Sequence, residues 1–246
     1  MVGTLTEETT GQIRVASRAT VVEVVGPAGA GKTALSQALI QHNQALQLGP
    51  SIRRRRHWRL LFTNFLRLMP AFLDLYRTRG LWLRVESKEI ISLNTLHELV
   101  VRESKKGKSL ILDQGPVYTL TYLHLRGNEG IKSGRLARWW EEAYRTWGQT
   151  LHTIIWLDAP DFILAQRIRS RQKSHEVKDY SDAAIHEFLQ FYRGGYKEVI
   201  ARMTAQNNRL RVLRFDTDRE SVAQVSAKVL MELEGEMNGC QPFKHK

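Results

Sequence analysis

A glycine-rich segment near the start of the chain constrains the fold more than any other feature. Residues 26–33 have the sequence GPAGAGKT, which fits the pattern G-x-x-x-x-G-K-[ST]. A β-branched run, residues 20–25, precedes the segment, and good helix formers, residues 32–46, follow it. This order predicts a buried strand, a tight phosphate-binding loop and a helix.

Each position of this loop has a physical role in holding a polyphosphate. Glycines let successive backbone N–H groups approach phosphate oxygens with no Cβ in the way, and the following helix adds its N-terminal dipole. Lys32 supplies a cation for the terminal phosphates, and the Thr33 hydroxyl can bind Mg²⁺. We therefore expect the contacts to come from the whole loop: Gly26, Pro27, Ala28, Gly29, Ala30, Gly31, Lys32 and Thr33.

Further strands and helical patterns alternate along the rest of the chain. Strands are predicted at residues 109–113, 153–157 and 210–215, and helices at 58–76 (with a kink or break at Pro70), 84–105, 133–150, 160–171, 181–204 and 221–233. Such alternation predicts a parallel core sheet with helices on both faces. The aromatic stripe of the 133–150 helix is interpreted as core, with a ring-stacking site as the alternative: Trp139, Trp140, Tyr144 and Trp147.

Composition and segment patterns place limits on domains and location. The chain has 246 residues with no Gly/Ser/Pro linker, so we expect one domain over 20–234, a loose leader over 1–19 and a tail over 235–246. No run approaches the roughly 20 apolar residues of a membrane span, and no signal peptide is seen. The lone cysteine, Cys240, excludes an internal disulfide and a cysteine-based zinc site. These features favour a cytoplasmic protein.

Acidic residues end two of the predicted strands. Asp113 should lie beside the glycine loop, because ligands bind at the carboxyl edge of a parallel sheet. It is a candidate general base or magnesium ligand, and the alternative is a capping role in the next turn. The following Gln114 is not the acid that many ATP-driven motors carry there. Asp158, before Ala159-Pro160, is interpreted as a helix cap, with metal binding or action as a base as the alternative.

A basic segment follows the predicted strand at residues 153–157. Arg167 and Arg171 lie four residues apart and should share a helix face. Phosphoryl transfer needs mobile cations over the γ-phosphate, so residues 165–180 are a candidate lid. A solvated helix face is the alternative.

The succession of motifs resembles the P-loop nucleoside and nucleotide kinases, closest to the thymidylate-kinase-like branch. The resemblance covers about residues 20–233 through GPAGAGKT, LILDQGP, LDAPDFILAQRIRSR, FLQFYRGGYKEVI and VLRFDTDRESVAQVSAKV. It implies a three-layer P-loop NTPase fold and transfer of the γ-phosphoryl of Mg-ATP to a small acceptor, a nucleoside or nucleotide.

The resemblance also assigns roles to single residues. Lys32 would stabilise developing charge, while Thr33 and Asp113 would set the metal or the acceptor. Arg167 and Arg171 would close over the transferred group, and Asp216 and Thr217 would lie near the donor adenine. A helical insert over residues 51–105 would cover the acceptor.

The chain departs from these kinases where they bind the acceptor phosphate. Gln114 follows the strand-end aspartate where thymidylate kinases usually carry arginine. Ser92 and Asn94 lie in the preceding helix where those kinases carry another arginine. The identity of the acceptor is therefore left open.

The charge of the chain is concentrated in one segment. Residues 51–84 contain nine arginines and one aspartate, a balance of +8 in a chain with a net charge of +12. The segment could bind an acidic acceptor or nucleic acid, or be a solvated loop. The apolar stretch after it could lie on a membrane surface or cover the sheet. A nucleotide-dependent regulatory or nucleic-acid-binding protein is the alternative function, with nucleic acid not favoured; the oligomeric state is left open.

Overall fold

The computed structural model of the chain describes residues 19–52, 57–79, 84–172 and 175–237. Arg53 to Arg56 of the basic segment lie outside the described residues, as do residues 1–18 of the expected leader and 238–246 of the expected tail. No described helix is long and apolar enough to cross a membrane.

A single five-stranded sheet forms the centre of the described chain. Its strands are β1 (Val21–Val25), β2 (Leu46–Leu48), β3 (Ser109–Asp113), β4 (Thr153–Asp158) and β5 (Arg211–Asp216). Their order is β2-β3-β1-β4-β5, and every neighbouring pair is parallel. Val24 is in register with Asp113 on one side, and Val25 with Trp156 on the other. The central strand is therefore the one that leads into the glycine loop.

Helices cover both faces of this sheet. They are α1 (Lys32–His42), α2 (Trp58–Arg79), α3 (Arg84–Ser104), α4 (Pro116–Arg126), α5 (Gly134–Thr150), α6 (Asp161–Ser170), α7 (Asp182–Gln206) and α8 (Val222–Met237), with a 3₁₀-helix at Glu129–Lys132. Alternate residues of β1 face two separate cores, Val21 and Val25 on one side and Val22 and Val24 on the other. The expected three-layer α/β fold is confirmed.

The first of the two cores contains the aromatic stripe of α5. Trp139, Trp140, Tyr144 and Trp147 are all buried there, at most 8 % exposed. The Trp139 and Trp140 indoles donate hydrogen bonds to Asn94 Oδ1 at 3.0 Å and to the Ile131 carbonyl at 2.9 Å. The stripe is core, as predicted.

Three local features differ from the sequence predictions. The first helix ends at His42 and does not reach residue 46. The edge strand β2 follows it, and its three residues are too few to show a hydrophobic period. Helix α4 was not predicted, although Pro116 at its first position is a known start signal. Pro70 lies inside an unbroken α2. Since Pro70 is exposed, water can satisfy the carbonyl that loses its helical partner.

Candidate active site

The glycine loop between β1 and α1 has a conformation that glycine alone adopts easily. Gly26, Gly29 and Gly31 have φ of 144°, 88° and 86°. A Cβ on Gly26 would lie 2.1 Å from the Leu157 carbonyl oxygen. The loop is thus packed against the end of β4, with its backbone available to a ligand on the outer side.

Lys32, the first residue of α1, folds back over the loop. Its Nζ donates to the Gly26 carbonyl at 2.8 Å and to the Pro27 carbonyl at 2.9 Å. Burial lowers the pKa of Lys32 to about 8, against the opposing charge of Asp113. A polyphosphate entering the loop can replace the two carbonyls as the partner of this ammonium group.

A first cleft, of about 340 Å³, opens on one side of the loop. Gly29, Ala30 and Gly31 line it together with Arg167, Thr217 and apolar side chains of β4 and α8. Arg167 donates from Nη1 to Thr217 Oγ1 at 2.9 Å and from Nη2 to the Thr217 carbonyl at 2.8 Å. The volume and the apolar lining suit the nucleoside part of a nucleotide.

Asp216 does not line this cleft, although its neighbour Thr217 does. Its Oδ1 accepts from the Asp218 N–H at 3.0 Å, and its Oδ2 lies 3.4 Å from Arg219 Nε. Asp216 therefore shapes the turn that presents Thr217.

A second cleft, of about 610 Å³, opens on the other side of the loop. It brings together the remaining loop residues Gly26, Pro27, Ala28, Lys32 and Thr33 with Asp113, Gln114 and Arg171. The cleft thus holds every side chain that the sequence selected as catalytic or metal-binding except Arg167, namely Lys32, Thr33, Asp113 and Arg171.

Arg167 and Arg171 do not share a helix face, which corrects the sequence prediction. Helix α6 ends at Ser170, and Arg171 has extended backbone with φ −67° and ψ 137°. The change of direction sends Arg171 to the second cleft while Arg167 stays in the first. Periodicity could not reveal this, because it assumes that the helix continues.

Four tyrosines also line the second cleft, and sequence reasoning missed them as site residues. Tyr118 and Tyr122 come from α4, and Tyr192 and Tyr196 from α7, with Phe188 beside them. Burial raises the pKa of Tyr118, Tyr192 and Tyr196, so their hydroxyls stay protonated. The two tyrosines of each helix are four residues apart, which places them on the same helix face, and this spacing was the signal available in the sequence.

Gln114, the residue after Asp113, has φ of 57°, the only positive φ outside glycine among the described residues. Such a conformation costs free energy and is concentrated at functional sites. Gln114 lines the second cleft.

Glu23, in the middle of β1, is a buried carboxyl group that sequence reasoning also missed. Its two oxygens accept hydrogen bonds from the N–H groups of Val117 at 2.9 Å and Tyr118 at 3.1 Å. Burial raises the pKa of Glu23 to about 8, although these N–H donors act in the opposite direction. Glu23 thus holds the start of α4, and with it Tyr118, against the central strand.

Asp158 does not cap α6, so the capping interpretation was wrong. Within the described chain α6 begins at Asp161, and the residue before it, Pro160, makes no side-chain cap. The Asp158 carboxylate instead accepts from Arg193 Nε at 2.9 Å and from Arg193 Nη2 at 2.8 Å. Arg193 also pairs with Asp161 and is only 8 % exposed. This ion pair fastens α7, which carries two of the cleft tyrosines, to the end of β4.

The strand order, the glycine loop and the lysine folded over it define a P-loop kinase-like fold. Residues 21–194 match the family model AAA_33, described as an AAA domain, and the chain belongs to this family. The resemblance seen in the sequence is confirmed at the level of the fold.

Solved structures of kinases align with most of the chain. Thymidylate kinase from Candida albicans aligns with a TM-score of 0.51 at 13 % identity, over 90 % of this chain and 93 % of that one. Shikimate kinase from Bacteroides thetaiotaomicron aligns at 16 % identity with a TM-score of 0.44, over 87 % and 98 % of the chains. Shikimate kinase from Acinetobacter baumannii in complex with shikimate aligns at 16 % identity with a TM-score of 0.47, over 89 % of this chain and 95 % of that one. Comparison with curated proteins gives no match.

Proposed function

We propose that the protein is an ATP-dependent phosphotransferase that moves the γ-phosphoryl group of Mg-ATP to a hydroxyl of a small acceptor. One observation carries the proposal: Lys32, Thr33, Asp113 and Arg171 meet in one cleft on one side of the loop, and a nucleoside-sized cleft lies on the other. A donor nucleotide lying across the loop would place its terminal phosphate among these four side chains.

The donor nucleoside would occupy the first cleft. Leu157, Val222 and Val225 offer it an apolar surface, and the Arg167 guanidinium held by Thr217 offers a planar cation. A planar guanidinium can stack on a purine ring. Thr217 would contact the nucleotide directly, and Asp216 would act only by shaping the turn that presents it.

Magnesium fits the oxygen donors beside the loop. The Thr33 hydroxyl and the Asp113 carboxylate line the same cleft, and both are hard oxygen ligands. The described residues contain no group of three or more His, Cys, Asp or Glu side chains that could hold a metal alone. Thr33 and Asp113 would therefore hold Mg²⁺ together with phosphate oxygens and water. When bound, the ion neutralises phosphate charge.

The chain's own residues would do the rest of the chemistry. As the acceptor oxygen forms its bond to the γ-phosphorus, the bond to the β–γ bridging oxygen breaks and ADP leaves. Lys32 and Arg171 would stabilise the charge on the transferred oxygens. Asp113, if it acts as the base, would accept the acceptor's hydroxyl proton.

The second cleft supports a neutral, ring-bearing acceptor, and we propose a nucleoside in preference to a nucleotide. Lys32 and Arg171 are the cationic side chains among the described lining residues, and both lie toward the loop. Burial lowers the pKa of His175, so its ring is neutral near pH 7. Tyrosine rings and hydroxyls suit stacking and hydrogen bonding to a base or sugar.

Two segments would cover the bound substrates. Arg171, His175 and Glu176 line the second cleft from the segment after α6, which supports residues 165–180 as a lid. Residues 51–105, with α2 and α3, would cover the acceptor side. We place the reaction in the cytoplasm, which supplies Mg-ATP.

An acceptor screen tests the proposed reaction. ADP release from Mg-ATP would be measured with nucleosides, nucleoside monophosphates and small hydroxylated metabolites. We expect little release without acceptor and strong stimulation by at least one nucleoside. Equal release with and without every compound would contradict the proposal and favour a nucleotide-dependent regulatory protein.

Two substitutions tie any activity to this cleft. Lys32→Ala should abolish transfer and weaken nucleotide binding. Asp113→Asn should lower kcat by roughly a hundredfold or more with ATP affinity little changed. Glu234→Gln, at an exposed carboxylate of α8 that lines neither cleft, is the matched control and should behave as wild type. Equal losses of rate and affinity in Asp113→Asn would instead indicate a structural role.

A further inference from the structure

The outer side of α2 carries a row of large apolar side chains that the fold leaves in contact with solvent. They are between 37 % and 61 % exposed: Trp58, Phe62, Phe65, Leu66, Met69, Leu73 and Tyr76. The inner side of the same helix is packed into the protein through Asn64, Leu68 and Leu75, at most 8 % exposed. Helix α2 therefore has apolar side chains on two sides. Those of the inner side are buried in the protein, and those of the outer side are exposed.

The seven exposed residues form one continuous stripe, the outer stripe. At 100° per residue they fall within an arc of about 100°, and the helix is about 33 Å long. Near its start the stripe joins a groove of about 470 Å³ that Lys88 and Ile91 of α3 also line. Monomeric proteins rarely leave an apolar surface of this extent exposed unless it binds something.

Basic side chains border the outer stripe. Arg59 and Arg77 fall at the next angular position on the helix, Arg67 lies beyond them, and all three are exposed. Arg67 lies near enough to Glu142 to help lower the pKa of that carboxyl group, so Arg59 and Arg77 are the arginines that lie directly beside the stripe. The run Arg53 to Arg56 immediately precedes the helix in the sequence.

We propose that the outer stripe and its arginines bind the protein to the surface of a membrane rich in anionic lipids. Trp, Tyr, Phe and Leu on one side of a helix insert favourably at the boundary between headgroups and acyl chains. Arginines beside such a face attract anionic headgroups. Because α2 is already folded and packed on α3, the attachment needs no folding step.

Charge complementarity favours a lipid surface over a second copy of the chain. Arg59 and Arg77 are exposed beside the outer stripe, so two copies meeting through this face would bring like charges together. An anionic bilayer neutralises the same charges.

Vesicle sedimentation of the full chain tests this attachment. The vesicles would contain phosphatidylcholine alone or with about 30 mol % phosphatidylserine. We expect binding to the anionic vesicles that weakens as salt is raised, and little binding to neutral ones. Phe62→Ser with Phe65→Ser, and separately Arg59→Gln with Arg77→Gln, should each weaken it by roughly tenfold or more.

A matched control separates the outer stripe from exposed apolar residues in general. Phe162 of α6 and Met231 of α8 are 69 % and 66 % exposed, and their double serine variant should bind vesicles as wild type does. Circular dichroism melting of each variant checks that the fold is kept. Equal binding of wild type to neutral and anionic vesicles, or equal binding by the serine variants of α2, would overturn the proposal. The proposal would also be overturned if light scattering showed a dimer of the wild type that the serine variants of α2 lose, while no protein bound vesicles. That result would assign the face to a second copy of the chain.

Discussion

Two arginines four positions apart in the sequence, Arg167 and Arg171, serve opposite sides of the phosphate loop. Arg167 is fixed by two hydrogen bonds to Thr217 in the proposed nucleoside cleft. Arg171 lies in the cleft that holds Lys32 and Asp113. Removing one should therefore affect donor binding, and removing the other should affect the transfer step.

We predict that Arg167→Ala raises the KM for ATP several-fold with a smaller change in kcat. Arg171→Ala should lower kcat by roughly a hundredfold, the scale expected for one charge-stabilising group. Steady-state kinetics with saturating acceptor would measure both. Arg169→Ala, which removes an exposed arginine paired with Asp182, is the control from the same segment. The same ratio of KM and kcat effects in the two variants would contradict the division of roles.

At the scale of elements, one carboxyl group joins the central strand to the helix that forms the cleft wall. Glu23 of β1 accepts hydrogen bonds from the first turn of α4, where N–H groups have no helical partner. The same turn contains Tyr118, so the position of this cleft tyrosine depends on a residue 95 positions earlier.

This junction predicts a specific pH dependence of stability. Burial raises the pKa of Glu23 from 4.5 to about 8, so the folded protein keeps a proton that the unfolded chain releases. Its stabilising contribution is complete below about pH 4.5 and is lost as the pH rises through about 8. The free energy of unfolding should fall over this interval by on the order of 1 kcal/mol per pH unit.

Urea denaturation at several pH values would measure the effect. In Glu23→Gln the decline between pH 4.5 and 8 should largely disappear, whereas exposed Glu141→Gln should keep it. An unchanged pH profile in Glu23→Gln would show that the carboxyl group is ionised in the folded protein throughout.

For the molecule as a whole, the loop at the centre of the sheet is the junction of two clefts. The central strand β1 leads into the loop. On one side of β1, strand β3 ends at Asp113, and on the other side, strand β4 provides the Leu157 carbonyl against which Gly26 packs. A nucleotide that fills the loop should therefore stabilise the whole fold and not only one segment.

We predict that Mg-ATP raises the Tm. A ligand at a hundred times its Kd adds about 2.7 kcal/mol, and each kcal/mol corresponds to about 2–4 °C for a domain of this size. A rise of roughly 5–10 °C in differential scanning calorimetry is therefore expected. Lys32→Ala should lose most of it, and exposed Lys197→Ala should retain it. A full shift in Lys32→Ala would contradict the placement of the phosphates.

The amino-acid sequence by itself determined the layered fold, the phosphate loop and the meeting of Asp113 with that loop. Each depends on neighbouring residues: a β-branched run, a glycine pattern, and the rule that parallel strands end at the same edge. The tertiary structure decided the features that depend on distant partners. Arg193 pairs with Asp158 across 35 residues and Glu23 binds Val117 across 94, so no local pattern indicates either contact. The separation of Arg167 from Arg171 and the exposed side of α2 belong to the same group, because only packing decides where a helix ends and which of its sides is covered.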